Sequence, residues 1–124
     1  MNKTNISNWK YFNLYDIFNL IENGKCSKAS DLPDGDDIYY LGAKKRDCCV
    51  IKRVASVPAL ESKGNCIVLI TDGDGSVGYS NYIPFEKFIG TVNLACCYND
   101  EHINKYTALF LVGVLDKERY KYSF

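Results

Sequence analysis

Residues Cys66–Ile70 run apolar without a break and are rich in β-branched side chains, the composition of a short strand buried on both faces. They pass directly into Thr71-Asp72-Gly73-Asp74-Gly75-Ser76-Val77-Gly78, so the strand must leave through a glycine turn. Gly73, Gly75 and Gly78 satisfy G-x-G-x-x-G, the spacing with which a strand-to-helix turn cradles a pyrophosphate. That site requires a helix whose N-terminus faces the phosphates, and the following Tyr79-Ser80-Asn81-Tyr82-Ile83-Pro84 is strand- and turn-like and ends in proline. Asp72 and Asp74 imitate the start of a calcium loop, but Val77 stands where its invariant glycine belongs and Ile83 where its bidentate glutamate belongs. Neither motif survives its context, and no cofactor or metal is expected. The segment reads as a tight β-turn whose glycines let a partner approach the backbone, with Ser76, Tyr79, Ser80 and Asn81 projecting.

The other periodicities arrange themselves around this strand. Residues 9–13 read as a first strand and 14–18 as a helical turn, feeding an apolar stretch over 18–21 that stops at Asn23-Gly24. Residues 31–37 carry four aspartates, a proline and a glycine, and read as an exposed turn before a strand over 38–41. Residues 88–98 read as a strand pair or one long strand, with Val92, Leu94, Cys96 and Tyr98 on one face and Thr91, Asn93, Ala95 and Cys97 on the other. From Asn104, which has the side chain of a helix cap, the period becomes helical. Ala108, Leu111, Val112 and Leu115 share a face; Leu109, Phe110 and Val114 widen it, so the helix should be buried over most of its circumference until Asp116-Lys117-Glu118-Arg119 returns it to solvent. The expected fold is α+β: a single domain over residues 1–124, with a mixed twisted β-sheet, a short N-terminal helical turn and a C-terminal helix. At 124 residues and 47% hydrophobic content, one core can form without staples.

Fifteen basic residues balance fifteen acidic ones, which removes the argument for a nucleic-acid binder from a globally basic surface. The charge is nevertheless segregated, because Lys44, Lys45, Arg46, Lys52 and Arg53 are offset only by Asp47, whereas aspartates gather at 31–37 and 72–74. With Lys25 and Lys28 these cations could contact phosphates, and Arg46 and Asn81 could read base edges with Tyr79 and Ser80 nearby. Each lysine alone reads equally well as a solvated loop charge; the cluster favours binding. Ten tyrosines also suit a recognition surface. The six cysteines include the adjacent pairs Cys48-Cys49 and Cys96-Cys97, whose members would point to opposite faces of a strand, so reduced and mostly buried thiols are expected. No C-x-x-C occurs and His102 is the only histidine, which leaves neither a zinc site nor a catalytic constellation. The N-terminus has no signal-peptide pattern and no run approaches the ~18 apolar residues of a membrane helix, so a cytoplasmic protein without a membrane partner is expected.

Four segments together carry a family resemblance: W-K-Y-F-N-L-Y-D-I-F-N-L-I-E-N-G-K at 9–25, D-I-Y-Y-L-G-A at 37–43, I-V-L-I-T-D-G-D-G-S-V-G at 67–78, and I-N-K-Y-T-A-L-F-L-V-G-V-L-D-K-E-R-Y-K-Y-S-F at 103–124. In order and spacing they resemble a target recognition domain of the DNA-specificity subunits of type I restriction-modification enzymes and of the related type IIB and IIG systems. The resemblance implies a non-catalytic module that reads one half of a split double-stranded DNA target, with methyl transfer and cleavage in other subunits. It implies methyltransferase and restriction subunits as further partners. Lys44-Lys45-Arg46-Asp47-Cys48-Cys49 departs from the asparagine- and glycine-rich segment that often follows the Y-x-x-G strand in the family. A full specificity subunit also has two such domains joined by long spacer helices, and 124 residues hold one, so a homodimer or a fragment is expected. The competing reading is a stand-alone, phage-borne protein of the same fold that binds and inhibits a host defence nuclease or methyltransferase complex. A small-ligand module built on the glycine turn is a weaker third.

Overall fold

The computed structural model describes residues 17–73 and 76–117. Among the described residues, besides short 3-10 turns, eight strands and one α-helix follow in the order β1 (Leu20–Asn23), β2 (Asp34–Leu41), β3 (Val50–Val54), β4 (Glu61–Lys63), β5 (Cys66–Ile70), β6 (Ser80–Ile83), β7 (Lys87–Gly90), β8 (Leu94–Tyr98) and α1 (Lys105–Lys117). The α+β class is as expected. The strands, however, divide between two four-stranded sheets, ordered β1-β8-β5-β6 and β3-β2-β7-β4. Every pairing in the first sheet is antiparallel; the second is mixed, with β2 and β7 parallel.

Every residue of β5 is buried, because each face of the first sheet is covered by a different layer. On one side Cys66, Val68 and Ile70 join Leu94, Cys96 and Tyr98 to pack against Leu41 and Phe88 of the second sheet. On the other, Ile67, Leu69, Ala95 and Cys97 pack beneath Ile103, Ala108, Val112 and Leu115 of the helical layer, with Phe18 among them. A third cluster, Ile38, Tyr40, Val54 and Ile89, lies on the outer face of the second sheet under Cys26 and Leu32. Burying each large aliphatic or aromatic side chain in these layers contributes about 1.5–3 kcal/mol. A continuous apolar run is the sequence consequence of having no solvent face.

The boundary between the sheets falls inside residues 88–98, so this segment is neither one long strand nor a paired hairpin. β7 belongs to the second sheet and β8 to the first, and the chain crosses at Thr91, whose N–H donates to Leu41 O at 3.0 Å. The alternation expected within β8 holds, but Val92 sits in the crossing and is exposed. The expected aspartate turn over 31–37 is likewise corrected. β2 begins at Asp34, and Asp34, Asp36 and Asp37 are exposed residues at the start of that strand. Acidic side chains lower strand propensity, but pairing with β3 overrides it, from Asp34 opposite Val54 through an irregularity to Ile38 opposite the same residue. Gly64 shows why the next junction needs glycine: a Cβ there would lie 1.5 Å from Phe85 O.

Asn104 caps α1 as expected, its Oδ1 accepting the N–H groups of Tyr106 (2.9 Å) and Thr107 (3.1 Å), while Thr107 Oγ1 accepts the Asn104 N–H at 3.0 Å. The extent of burial is not as expected. Ala108, Val112 and Leu115 are buried, whereas Tyr106, Leu109 and Phe110 are 80%, 57% and 58% exposed, so the helix buries one stripe and leaves an apolar face outward. The expected strand at 9–13 and most of the expected helical turn at 14–18 lie outside the described residues. All six thiols are free; Cys48 is exposed and the other five are buried. Among the described residues no helix is long and apolar enough to cross a membrane.

Candidate nucleic-acid interface

The connection between β2 and β3 carries the basic run. It is closed by the Gly42 N–H donating to Cys49 O at 2.8 Å, and within it Asp47, Cys48 and Cys49 all adopt left-handed conformations, with φ of 56°, 53° and 66°. For residues with a Cβ each such conformation costs about 1 kcal/mol or more, so three in succession require outside support. The Cys48-Cys49 pair is therefore not on a strand, contrary to the expectation of opposite faces: Cys48 is exposed and Cys49 is fully buried. Burial raises the Cys49 thiol pKa above its ordinary value, partly offset by the Asn81 hydrogen bond.

The glycine segment after β5 is the loop of the β5–β6 hairpin. The Gly78 N–H donates to Ile70 O and the Ile70 N–H to Tyr79 O, both at 2.9 Å, and Gly73 (φ 138°) and Gly78 (φ 90°) occupy conformations open to glycine. It leads into strand β6, which removes the dinucleotide reading geometrically. The two loops meet. A Cβ on Gly73 would stand 3.0 Å from Ala43 Cβ, and Asn81 Nδ2 donates to Lys45 O (2.8 Å) and Cys49 Sγ (3.1 Å).

The expected contact residues fall into distinct positions. Arg46 is exposed at the tip of the β2–β3 loop; Lys44 beside it lies 3.3 Å from Asp47, an exposed pair that leaves the ammonium available. Lys45 turns inward, with Nζ 2.6 Å from Asp116 Oδ2 and 2.6 Å from Ser80 O. Ser80 is fully buried with its hydroxyl on Asp116 Oδ1, and Asn81 is 9% exposed, so both support the loop instead of projecting from a turn. Ser76 and Tyr79 are half-buried in the hairpin loop, Tyr79 against the inter-sheet core. Lys52 and Arg53 stand on edge strand β3 opposite Tyr40 and Tyr39, so they point to opposite faces of the sheet. The Arg53 guanidinium lies over the Tyr39 ring, 4.9 Å from its centroid. Lys25 and Lys28 belong to the segment after β1; Lys25 Nζ donates to Glu61 O at 3.0 Å and Lys28 is exposed. The basic run is thus several local positions, with Lys44, Arg46 and the edge-strand cations outermost.

Asp116 is the residue that sequence reasoning placed in solvent. It is half-buried, and its position one residue after Leu115 on the buried stripe is the only sequence signal of its inward turn. No group of three metal-binding side chains gathers among the described residues. His102 is exposed ahead of α1, whereas Cys96 and Cys97 are fully buried. An open cleft of about 410 Å³ lies beside Tyr39 and Phe85, whose rings stack at 4.6 Å, but Asp37 and Glu61 on its wall already accept hydrogen bonds from Ser56.

The model of the type I restriction modification DNA specificity domain matches residues 6–124. The chain belongs to that family. Two solved structures share the specificity-domain fold: a type I restriction-modification system S subunit from M. genitalium, 23% identical with a TM-score of 0.60 over 97% of this chain, and an HsdS subunit from Thermoanaerobacter tengcongensis, 14% identical with a TM-score of 0.59 over 98%. This specificity domain matches 32% of the first subunit and 36% of the second, about a third of their lengths. No curated protein matches the chain.

Proposed function

We propose that this specificity domain reads a short double-stranded DNA sequence, one half of a split target, and that it does so without chemistry of its own. The observation that carries the reading is the strained β2–β3 loop, which presents Arg46 and Lys44 outward beside the glycine hairpin in a chain of this family. A rigid loop with a forked donor at its tip suits base-edge contact in the major groove, and Lys44, Lys52, Arg53 and Lys28 suit phosphates on either side. Ser76 and Tyr79 flank the loop as further polar contacts; Lys25, Lys45, Ser80 and Asn81 are already engaged within the protein and serve the interface indirectly. Zero net charge is compatible with this, because binding needs a local basic rim and not a basic molecule. Methyltransferase and restriction subunits are proposed as the partners that supply catalysis, and a second recognition domain, in the same or a second chain, as the reader of the other half-site. The alternative of a defence-nuclease inhibitor draws no support from the family match or the structural neighbours.

Fluorescence anisotropy with mixed-sequence duplexes at low salt tests the proposal. Lys52→Glu should weaken binding and lower the salt-dependence slope by about one for its lost phosphate contact, and Arg46→Glu should weaken binding by removing the base-edge donor and placing a carboxylate there. Absence of binding at micromolar protein, or binding indifferent to both reversals, would contradict it.

A further inference from the structure

Asp116 ends the buried stripe of α1 with its carboxylate turned back toward the strands. Oδ2 lies 2.6 Å from Lys45 Nζ, and Oδ1 accepts both the N–H (2.7 Å) and the hydroxyl (3.0 Å) of Ser80. Lys45 Nζ also donates to the Ser80 carbonyl at 2.6 Å, so the helix end, strand β6 and the β2–β3 loop meet at one point. Asn81 then reaches the same loop from the next position on β6, through Lys45 O and Cys49 Sγ. Two of these contacts end on main-chain carbonyls, and one starts from a main-chain N–H. Of these main-chain groups the Ser80 N–H and carbonyl belong to β6 and Lys45 O to the β2–β3 loop, so the contacts tie the loop, just ahead of its three consecutive left-handed residues, to β6 and the helix end.

We propose that Asp116, acting through Lys45 and Ser80, is a positioning residue for DNA recognition: it holds the β2–β3 loop in its left-handed form so that Arg46 meets base edges from a fixed direction. The inference rests on the DNA-reading function proposed above. Lys45 is then a strut and not a phosphate contact. Loosening the strut should cost discrimination more than affinity, because a phosphate attracts a mobile cation almost as well as a fixed one, whereas a bidentate base contact requires both donors in place.

Asp116→Asn keeps the shape of the side chain but loses the charge; Lys45→Met keeps the stem but loses the ammonium. Limited alkylation with iodoacetamide, resolved by mass spectrometry, should modify Cys48 in the native domain and leave buried Cys49, Cys66, Cys96 and Cys97 protected. In both variants Cys49 should react about tenfold faster while Cys66, Cys96 and Cys97 stay protected, the sign of a local opening. The ratio of affinities for the duplex enriched from a randomised pool and for its scrambled version should fall about tenfold with an unchanged salt slope. Cys49 as protected in both variants as in the native domain would overturn the clamp whatever the DNA result. Cys49 opened with the affinity ratio unchanged would overturn the positioning role. Ser80→Ala, which leaves the ion pair in place, supplies a milder variant judged by the same two readouts should Asp116→Asn expose Cys66 and Cys97. If the domain binds no duplex at all, the DNA reading fails, and the Cys49 protection still decides the clamp.

Discussion

At the scale of single residues, the thiols show how burial becomes a pH dependence. The Cys66 thiol is pushed well up by the neighbouring Cys96 thiol and by burial, and Cys97 is pushed up mainly by burial. Both groups hold their protons in the folded state beyond the point at which an unfolded thiol ionises, near pH 8.5. Their contribution to stability is therefore complete below that pH and is lost as the pH rises above it, because only the unfolded chain gains thiolate. Thermal unfolding should show a constant midpoint between pH 7 and 8 and a falling one from about pH 9, steeper by up to about 1.4 kcal/mol per pH unit for each buried thiol. Cys97→Ala should flatten this alkaline limb while lowering stability at pH 7. An unchanged alkaline slope in that variant would show that the thiol does not carry the dependence.

The elements divide according to what their neighbours demand. Strand β5, the glycine loop after it and the Asn104 cap could be read from the sequence, because each depends on residues adjacent in the chain: a run with no polar side, glycines at positive φ, an amide two and three residues before the N–H groups it accepts. The start of β2 at Asp34 and the split of 88–98 between two sheets could not, since both are decided by partners distant in sequence, Val54 for the one and Leu41 and Tyr98's own sheet for the other. At the candidate interface the same division holds. The basic run and the glycine hairpin are legible, but the inward turn of Lys45, expected at a phosphate, and of Ser80, expected to project, is decided by Asp116 on the distant helix, and that of Asn81 by Lys45 O and Cys49 Sγ of the β2–β3 loop. Helix α1 illustrates the limit of periodicity: the stripe through Ala108, Val112 and Leu115 is real, yet nothing in the pattern tells that Leu109 and Phe110 stay outside. The cap itself is testable at this scale. Asn104→Ala should destabilise the domain by about 1 kcal/mol in urea unfolding with an unchanged m-value; a change below about 0.3 kcal/mol would mean that the paired bonds to Tyr106 and Thr107 contribute nothing net.

For the whole molecule, two sheets and a helix stack so that one edge brings the β2–β3 loop beside the β5–β6 hairpin, and this edge carries the outward cations Lys44 and Arg46. In the balance of fifteen basic and fifteen acidic residues, aspartates line the start of β2, and the edge itself sets Asp47 of the loop and exposed Asp72 of the hairpin beside its cations. Such a molecule should hold DNA weakly by charge and discriminate by the fixed loop, and the two contributions separate experimentally. Selection of the purified domain against a pool of duplexes with a randomised central segment tests sequence reading most directly. The account predicts enrichment of one short motif over successive rounds, abolished by Arg46→Ala while weak salt-sensitive binding to the unselected pool persists. Recovery of the starting pool without enrichment, or enrichment unaffected by Arg46→Ala, would contradict it.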